Sequence, residues 1–349
     1  MLFKHENMTF SNSLIDWYLQ NKRDLPWRNS TNPYEIWLSE IMLQQTRVAQ
    51  GLPYFKAFVA AFPTVFDLAA ASEEEVLKLW QGLGYYSRAR NLHATAKQVA
   101  DTYKGVFPNT YQSLLQLKGV GEYTAAAIAS FSFNEPVAVV DGNVFRVLAR
   151  YFGINDDIAS NKSKKIFQLK AQELLPISKA AVFNQAIMEF GALQCVPKNP
   201  DCSNCVLAAN CFAFQNNKIN ELPVKLKKTK VIPRYFNYLV MIDSRGFWVV
   251  EKRTQNGIWK NLYEFPLEET KEEVSLETVL NQISIKYAPK YVVIKNETPI
   301  IHKLSHQHLH IRFIELQFEH EIEAAKPFDF IANLPFPIVI HKFIETNYL

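Results

Sequence analysis

The sequence predicts a mainly helical first domain followed by a smaller α+β domain. From residue 8 to about residue 212, apolar residues recur at helical spacing, and Pro63, Pro108, Pro136 and Pro176 interrupt them. Strand-like alternation begins only after residue 233. Between the two regions, residues 215–233 are polar, carry lysines and include two prolines, which is typical of a linker.

We expect the helical domain to span residues 1–214, the linker residues 215–232 and the second domain residues 233–349. In the second domain, apolar alternation on both sides of the turn Asp243–Gly246 predicts a β-hairpin. The elements expected there are strands at 235–242, 247–253 and 308–318 and helices at about 271–285 and 336–346.

The composition is that of a folded protein with sizeable cores, since 48% of the 349 residues are hydrophobic. No apolar run approaches the length of a membrane span and no targeting segment is visible, so we expect a cytoplasmic prokaryotic protein with no membrane partner. Residues 1–230 carry 25 Lys/Arg against 19 Asp/Glu, whereas residues 231–349 carry 13 against 15. The first region is therefore the better candidate for binding a polyanion.

The four cysteines of the chain, Cys195, Cys202, Cys205 and Cys211, follow the spacing C-x6-C-x2-C-x5-C. Two disulfides would explain them in a small secreted protein, but a chain of this length does not need such bridges. Zinc favours paired C-x2-C knuckles, whereas a single C-x2-C between wider gaps suits a loop around a larger cluster. The spacing therefore favours a 4Fe-4S cluster over zinc.

Two acidic residues are candidates for catalysis. Glu40 follows a helix start at Asn32-Pro33 and shares a helical face with apolar residues, which should raise its pKa as a general acid requires. Asp141 and Asn143 stand where an apolar run ends and a helix begins. Both could be simple helix caps, but a carboxylate in that place could also oppose a cationic transition state.

The segment LKGVGEYTA at 117–125 lies between two helical runs. Gly119 and Gly121 are the small, permissive residues that a tight turn between helices needs. Backbone N–H groups that face outward at the start of the second helix would bind a phosphate without regard to base sequence. An ordinary interhelical turn is the alternative.

This hairpin, the later VVDGNVFRVLAR and the cysteine loop together resemble the helix-hairpin-helix DNA glycosylase superfamily. Within it, WLSEIMLQQTRV, LPWR, GLGYYSRARNLH and FNQAIMEFGALQC resemble the MutY adenine DNA glycosylases, which excise adenine mispaired with 8-oxoguanine. The resemblance is strong over about residues 10–230 and weaker beyond. It implies a helix-hairpin-helix glycosylase module with an iron-sulfur loop, a Nudix-like second domain, and a monomer that acts on duplex DNA containing A:8-oxoguanine or A:G mispairs.

The resemblance also implies residue roles. Glu40 would protonate the adenine, and Asp141 would stabilise the oxocarbenium-like sugar that is left behind. Asn143 would support Asp141, and Tyr123 would pack against the sugar. The residues expected to wedge into the base stack during flipping are Gln45, Thr46 and Tyr85. The residues expected at the adenine pocket are Arg28, Glu189, Trp27 and Leu43, although the last two could equally be core.

Tyr123 separates this hypothesis from its nearest rival. Lyase members such as endonuclease III carry a lysine at this place, which forms a Schiff base with the sugar. Tyrosine has no amine, so water should take the sugar cation and the enzyme should be monofunctional. A catalytically silent DNA-binding protein is a third hypothesis, and the presence of both Glu40 and Asp141 argues against it.

The segment EKRTQNGIWKNLYEFP at 251–266 resembles the Nudix-like carboxy-terminal domain of the family. The acids that follow lack the pattern of a Nudix hydrolase, so we expect this domain to recognise the lesion. A Phe-Ser-His segment of the family contacts 8-oxoguanine and aligns with Leu304, Ser305 and His306, with leucine in place of phenylalanine. Three histidines alternate along one predicted strand: His306, His308 and His310. We interpret them as a solvent-exposed face of the strand rather than as a metal site.

Overall fold

The computed structural model describes residues 2–226 and 230–349. Its contacts divide the chain into two compact units, Met1–Ala70 with Asn91–Lys227 and Ala71–Arg90 with Lys228–Leu349. The boundary between the two units at residues 227–228 falls within the predicted linker. The structure differs from the predicted boundaries at residues 71–90, which group with the second unit.

Helices dominate the chain as far as residue 215. They are α1 (Leu2–Asn21), α2 (Pro33–Leu43), α3 (Val48–Ala61), α4 (Val65–Ala70), α5 (Glu73–Leu79), α6 (Ser87–Thr102), α7 (Tyr111–Leu114), α8 (Glu122–Phe133), α9 (Gly142–Phe152), α10 (Asn161–Leu174), α11 (Ala180–Leu193) and α12 (Phe212–Gln215). The four prolines predicted to interrupt helices all lie between them. Among the described helices, none is long and apolar enough to cross a membrane.

One core of the first unit lies between α1, α9, α10 and α11. Its fully buried side chains include Phe10, Leu148, Phe167 and Phe190. Burying each such side chain contributes about 1.5–3 kcal/mol. Burial of these apolar faces holds α9 and α11 against each other. Helix α9 carries Asn143, which is predicted to act in catalysis, and α11 carries Glu189, which is predicted at the adenine pocket.

The predicted linker is partly built into this core. Leu222 is only 5% exposed, and its carbonyl accepts a hydrogen bond of 3.0 Å from Nε of Arg150. The N–H of Ile158 donates to the carbonyl of Val224 at 3.0 Å. The polar composition of 215–232 concealed these apolar anchors, and residues 227–229 of the predicted linker lie outside the described residues.

Helix α2 packs against α8. Asn32 caps α2, because its side chain accepts a hydrogen bond of 3.0 Å from the N–H of Tyr34, and Pro33 occupies the first turn as predicted. Helix α8 is rich in buried alanine, which lets α2 approach its backbone closely. This packing brings Glu40 of α2 next to Tyr123 of α8.

The second unit is built on a mixed sheet. Its elements after the change of unit are β1 (Ile232–Ile242), β2 (Glu251–Lys252), β3 (Tyr263–Glu264), β4 (Leu267–Thr270), α13 (Leu276–Tyr287), β5 (Tyr291–Ile294), β6 (Ile300–Lys303), β7 (Gln307–Gln317), α14 (Phe328–Ala332) and α15 (Ile338–Tyr348). The sheet order is β4-β1-β7-β5, β6 also pairs with β7, and β2 and β3 form a separate ladder. Strands β1 and β7 are parallel, with Tyr238 opposite Phe313. Strand β7 and helices α13 and α15 match the predicted elements.

The central strands are apolar on both faces because a helix covers each face. On one side, Leu239 and Ile314 pack with Val279 of α13. On the other side, Phe313 stacks on Phe343 of α15, with ring centroids 3.8 Å apart. Strands buried on both faces read as nearly continuous apolar runs, as β1 does.

The predicted hairpin is present but short. A turn follows β1 at Asp243–Gly246, and the returning chain pairs antiparallel with β1 through a bridge between Ile242 and Trp248. The pairing does not continue to Arg253 as predicted, because residues 251–252 form β2 and pair with β3. The strands that pair with β1 over longer stretches are β4 and β7. These partners are distant in the sequence, so the local alternation that predicted a hairpin could not identify them.

Candidate active site

Glu40 lies in the last turns of α2 and is only 7% exposed. The hydroxyl of Tyr123 donates a hydrogen bond of 2.7 Å to its Oε2. Burial raises the pKa of Glu40 to about 7, and the negative charge of Asp141 also raises it. The hydrogen bond from Tyr123 lowers this pKa, but its effect is smaller than that of burial. A carboxyl with this pKa carries a proton on a large fraction of molecules near neutral pH, as a general acid must.

Asp141 is the N-cap of α9. Its Oδ1 accepts hydrogen bonds from the N–H of Asn143 at 2.9 Å and of Val144 at 2.8 Å, and its Oδ2 accepts one from Nδ2 of Asn143 at 2.7 Å. Burial raises the pKa of Asp141, and the hydrogen bonds from Val144 and Asn143 oppose that rise. The capping geometry therefore holds a carboxylate at the positive end of a helix.

Arg146 fixes the amide of Asn143. It donates to Oδ1 of Asn143 at 2.9 Å and to the carbonyl of Gly191 at 2.6 Å, while its Nε donates to the carbonyl of Cys195 at 2.7 Å. With Oδ1 occupied, the amide must present its NH₂ group to Asp141. Arg146 thus connects α9, α11 and the start of the cysteine loop.

Glu189 of α11 is held by two arginines. Its carboxylate accepts hydrogen bonds from Arg23 at 2.8 and 2.6 Å and from Arg28 at 2.6 and 2.5 Å, and its side chain is fully buried. These bonds lower the pKa of Glu189 to about 2 in spite of its burial. Glu189 is therefore ionised at neutral pH, and it orients Arg28, which is also a predicted pocket residue.

These groups line one cleft of about 990 Å³ in the first unit. The cleft also contains the predicted wall residues Trp27 and Leu43 and the predicted wedge residues Gln45 and Thr46. Trp27 packs edge-on against Phe55, with ring centroids 5.0 Å apart. In the described part of the chain, no lysine lines this cleft.

The cleft residues that were not predicted from the sequence include three with polar side chains, Arg23, Arg146 and Gln185. Gln185 accepts a hydrogen bond of 2.6 Å from the hydroxyl of Tyr18. Its spacing of four residues before Glu189 places both side chains on one face of α11, and that spacing could have identified it. Arg23 reaches Glu189 and Arg146 reaches the carbonyls of Gly191 and Cys195 through long-range contacts that no local pattern shows.

The four cysteines lie in the segment between α11 and α12, and all are half-buried free thiols. They line a common, mainly apolar cavity with Val147 and Phe190. Arg150 braces the loop by donating to the carbonyls of Val196 at 2.8 Å and Pro197 at 3.0 Å. Among the described residues, no three His, Cys, Asp or Glu side chains are grouped closely enough to hold one metal ion.

Comparison with known proteins identifies the family. Residues 38–176 match the model of the HhH-GPD superfamily of base excision DNA repair proteins, and residues 237–346 match the NUDIX domain. An adenine DNA glycosylase of Buchnera aphidicola subsp. Baizongia pistaciae is 37% identical over 305 residues, which cover 87% of this chain and 85% of that protein. This chain belongs to the adenine DNA glycosylase family.

Two further similarities agree with this membership. An adenine DNA glycosylase of Arabidopsis thaliana is 39% identical over 321 residues, which are 81% of this chain and 51% of that protein. The structure of a thermostable thymine-DNA glycosylase is similar with a TM-score of 0.57 and 29% identity, covering 62% of this chain and all of that chain. The predicted helix-hairpin-helix and Nudix-like folds and the predicted DNA repair glycosylase class are confirmed.

The glycosylase hairpin connects α7 to α8. Gly119 has a left-handed φ of +76°, and a Cβ there would lie 2.6 Å from Cβ of Asn91, so both conformation and space require glycine. Gly121 precedes α8 at the N-cap, and nothing lies within 4 Å of where its Cβ would be. The N-terminus of α8 is therefore open on this side.

In the second unit of the glycosylase, the predicted wedge residue Tyr85 and the predicted lesion reader Ser305 meet. Their hydroxyl oxygens are 2.5 Å apart, and Tyr85 is 46% exposed with a φ of +50°. Leu304, Ser305 and His306 form the turn from β6 to β7, which the N–H of Leu304 closes by donating to the carbonyl of Gln307 at 2.8 Å. Two residues predicted separately to contact the DNA near the lesion thus share one hydrogen bond.

Proposed function

We propose that this glycosylase hydrolyses the N-glycosidic bond of adenine mispaired with 8-oxoguanine or guanine in duplex DNA. The observation that carries the proposal is the presence of two different carboxyl groups in one cleft. Glu40 has a pKa near 7 and can hold a proton, whereas Asp141 accepts three hydrogen bonds at a helix N-terminus, which favour its charged form. The name shared by the relatives supports adenine as the base.

Glu40 delivers the proton to a ring nitrogen of adenine. The electron pair of the glycosidic bond then leaves with the base, because protonation makes adenine a better leaving group. The hydroxyl of Tyr123 occupies Oε2 of Glu40 and leaves Oε1 to carry the transferred proton. A Glu40 that is ionised cannot perform this step.

Asp141 faces the sugar as positive charge develops on it. A carboxylate held in place before the reaction stabilises that charge without reorganising. Water then adds to the sugar, and the products are free adenine and an abasic site. The absence of lysine among the described cleft residues, and the burial that raises the pKa of Tyr123 far above its usual range, support hydrolysis over formation of a Schiff base.

The pocket for the extruded base is formed by Arg28, Trp27 and Leu43. Arg28 provides fixed N–H donors because Glu189 holds its guanidinium in a bidentate pair. Trp27 and Leu43 provide the apolar walls on which a base can pack. A positioned donor between apolar walls is what recognition of a flipped base requires.

Each unit by itself carries residues suited to contact the duplex. The open N-terminus of α8 at Gly121, with the turn at Gly119, is suited to a backbone phosphate. Gln45 and Thr46 at the cleft, and Tyr85 in the second unit, fill the stack while the adenine is extruded. Ser305 and His306 read the 8-oxoguanine. The excess of basic residues in the first 230 supports DNA binding by a monomer.

The cysteine loop is suited to a 4Fe-4S cluster held by Cys195, Cys202, Cys205 and Cys211. Four thiols converge on one apolar cavity without being close enough to hold a single ion, and a cluster spaces its ligands more widely than an ion does. The cluster, when bound, supplies structural cross-linking of the loop, since hydrolysis transfers no electron. The contacts of Arg146 and Arg150 connect that loop to α9.

Base release from a panel of duplexes tests the proposal. Strand scission is measured on A:8-oxoguanine, A:G and A:T duplexes, with and without alkali after the reaction. We expect free adenine from the two mispairs and scission only after alkali. Scission without alkali would identify a lyase, and binding without base release would identify a silent DNA-binding protein. Either result overturns the proposal.

A further inference from the structure

Helices α9 and α11 approach each other closely at Gly191. A Cβ on Gly191 would lie 2.7 Å from Cβ of Asn143, 2.9 Å from its carbonyl oxygen and 3.1 Å from its carbonyl carbon. Real Cβ atoms essentially never approach other heavy atoms within 3.0 Å. Two of these three atoms are backbone, so a change of rotamer at Asn143 could not relieve the contact.

Glycine is required at position 191 because there is no room for a Cβ atom, not because of its backbone conformation. Gly191 is buried within α11, and its φ is not in the left-handed range that favours glycine. A glycine inside a helix is less stable than alanine, so its position here indicates that the close approach matters. Arg146 ties the two helices at the same point, through the carbonyl of Gly191 and Oδ1 of Asn143.

Asn143 connects α11 to Asp141, because it contacts Gly191 of α11 and donates hydrogen bonds to the Asp141 carboxylate. Its side-chain NH₂ donates to Oδ2 of Asp141 at 2.7 Å, and its backbone N–H donates to Oδ1 at 2.9 Å. Two of the three hydrogen bonds to the carboxylate therefore move with Asn143, and the third comes from the N–H of the next residue, Val144. Displacing Asn143 from α11 would displace the carboxylate that the proposed reaction aims at the sugar.

We propose that Gly191 is a positioning residue for base excision, setting the place of the Asp141 carboxylate through Asn143. This inference rests on the proposed function of Asp141. Displacing a catalytic group by about 1 Å can reduce a rate about 100-fold, so Gly191→Ala should slow the single-turnover excision of adenine by about 10–100-fold. The equilibrium dissociation constant for the duplex should change little, because Gly191 is buried beneath the cleft and contacts no substrate.

The experiment compares the wild-type chain, Gly191→Ala and Leu193→Ala, all carrying their cluster. Leu193 is exposed on the same turn of α11, and its truncation should leave the rate unchanged. Single-turnover rate, duplex dissociation constant, melting temperature and iron content are measured on each protein. The expected result is a loss of rate in Gly191→Ala while duplex affinity and iron content stay at the wild-type level.

Three outcomes overturn the inference. A Gly191→Ala rate within about threefold of wild type means that the close approach does not set the reaction geometry. A parallel loss of rate, duplex affinity and iron content means that the glycine is only structural. A wild-type chain that releases no adenine overturns the proposed function as well, which distinguishes the two failures.

A second variant keeps the inference testable if Gly191→Ala does not fold. Asn143→Ala leaves α11 unchanged and removes the side-chain amide, which supplies one of the two hydrogen bonds from Asn143 to Asp141. It should likewise slow excision while retaining duplex binding and iron. An Asn143→Ala protein as fast as wild type would show that this amide does not hold the Asp141 carboxylate in place for the reaction, and the inference would be wrong.

Discussion

The hydroxyl of Tyr123 lies 2.7 Å from Oε2 of Glu40 and donates a hydrogen bond to it. The bond favours the ionised carboxylate, whereas the surrounding apolar side chains favour the neutral acid. Burial outweighs the bond, and the pKa of Glu40 is therefore raised to about 7. In the proposed reaction, this opposition determines the pH range over which Glu40 holds the proton that it donates to adenine.

The first prediction follows from that opposition. The proposed reaction requires protonated Glu40, so the rate should fall as the pH rises through about 7. In Tyr123→Phe the carboxylate loses its hydrogen bond, the pKa of Glu40 rises further, and the fall should move to higher pH. Single-turnover rates measured across the pH range test this.

Tyr34→Phe is the matched control, because its hydroxyl donates to the carbonyl of Phe62 rather than to a carboxylate. In Tyr34→Phe, the fall in single-turnover rate at alkaline pH should occur at the same pH as in the wild type. If the rate of Tyr123→Phe falls at the same pH as the wild-type rate, or at a lower pH, the bond from Tyr123 does not lower the pKa of Glu40.

The second prediction concerns the proton itself. Glu40→Gln keeps the shape of the side chain but cannot deliver a proton, so excision should slow by more than about 100-fold while duplex affinity stays nearly unchanged. Glu35→Gln makes the same chemical change on the same helix and should remain active. Residual Glu40→Gln activity within about tenfold of wild type would move the acid role to another group.

The third prediction concerns stability. Glu189→Gln leaves Arg23 and Arg28 without their buried partner and should destabilise the protein by about 3–5 kcal/mol at neutral pH. The pKa of Glu189 is lowered by folding, so its contribution is present above the unfolded-state pKa of 4.5 and is lost as the pH falls toward about 2. Urea unfolding at several pH values measures both effects.

Glu173→Gln, in an exposed pair with Lys170, is the control for this stability prediction and should cost less than about 1 kcal/mol. Equal destabilisation by Glu189→Gln and Glu173→Gln would mean that the double arginine pair is not an anchor of the cleft.

The fourth prediction concerns the cysteine loop. The purified protein should be yellow-brown with about four irons per chain, and a serine at any of the four cysteines should reduce iron content and weaken DNA binding. Ser203→Ala, between Cys202 and Cys205, should retain the iron. A colourless wild-type protein with stoichiometric zinc would refute the assignment.

The fifth prediction concerns lesion recognition. Replacing both Ser305 and His306 with alanine should reduce excision from A:8-oxoguanine far more than from A:G, and should weaken lesion binding by about 1–3 kcal/mol. His308→Ala, on the adjoining strand, is the control. Equal losses on both duplexes would leave recognition to Gln45, Thr46 and Tyr85.

The sequence by itself determined the features that depend on neighbouring residues. Asn32 and Pro33 begin α2 as their types require, and helical spacing was enough to place Glu40 among apolar residues. The position of Asp141 before a helix predicted the cap that the structure contains. The spacing of the cysteines likewise predicted a single loop that carries all four thiols. Capping, helical periodicity and ligand spacing all act over a few residues, so a linear pattern records them.

Only the tertiary structure decided which distant groups meet. Arg23 reaches Glu189 across 166 positions of sequence, and Tyr85 reaches Ser305 across 220. The segment 71–90 joins the second unit because Lys78 donates to the carbonyls of Ala332 and Leu334, although its local pattern is helical like its neighbours. Such contacts form because a folded chain must pair its buried charges and carbonyl groups, and their partners depend on the packing of whole elements rather than on adjacent residues.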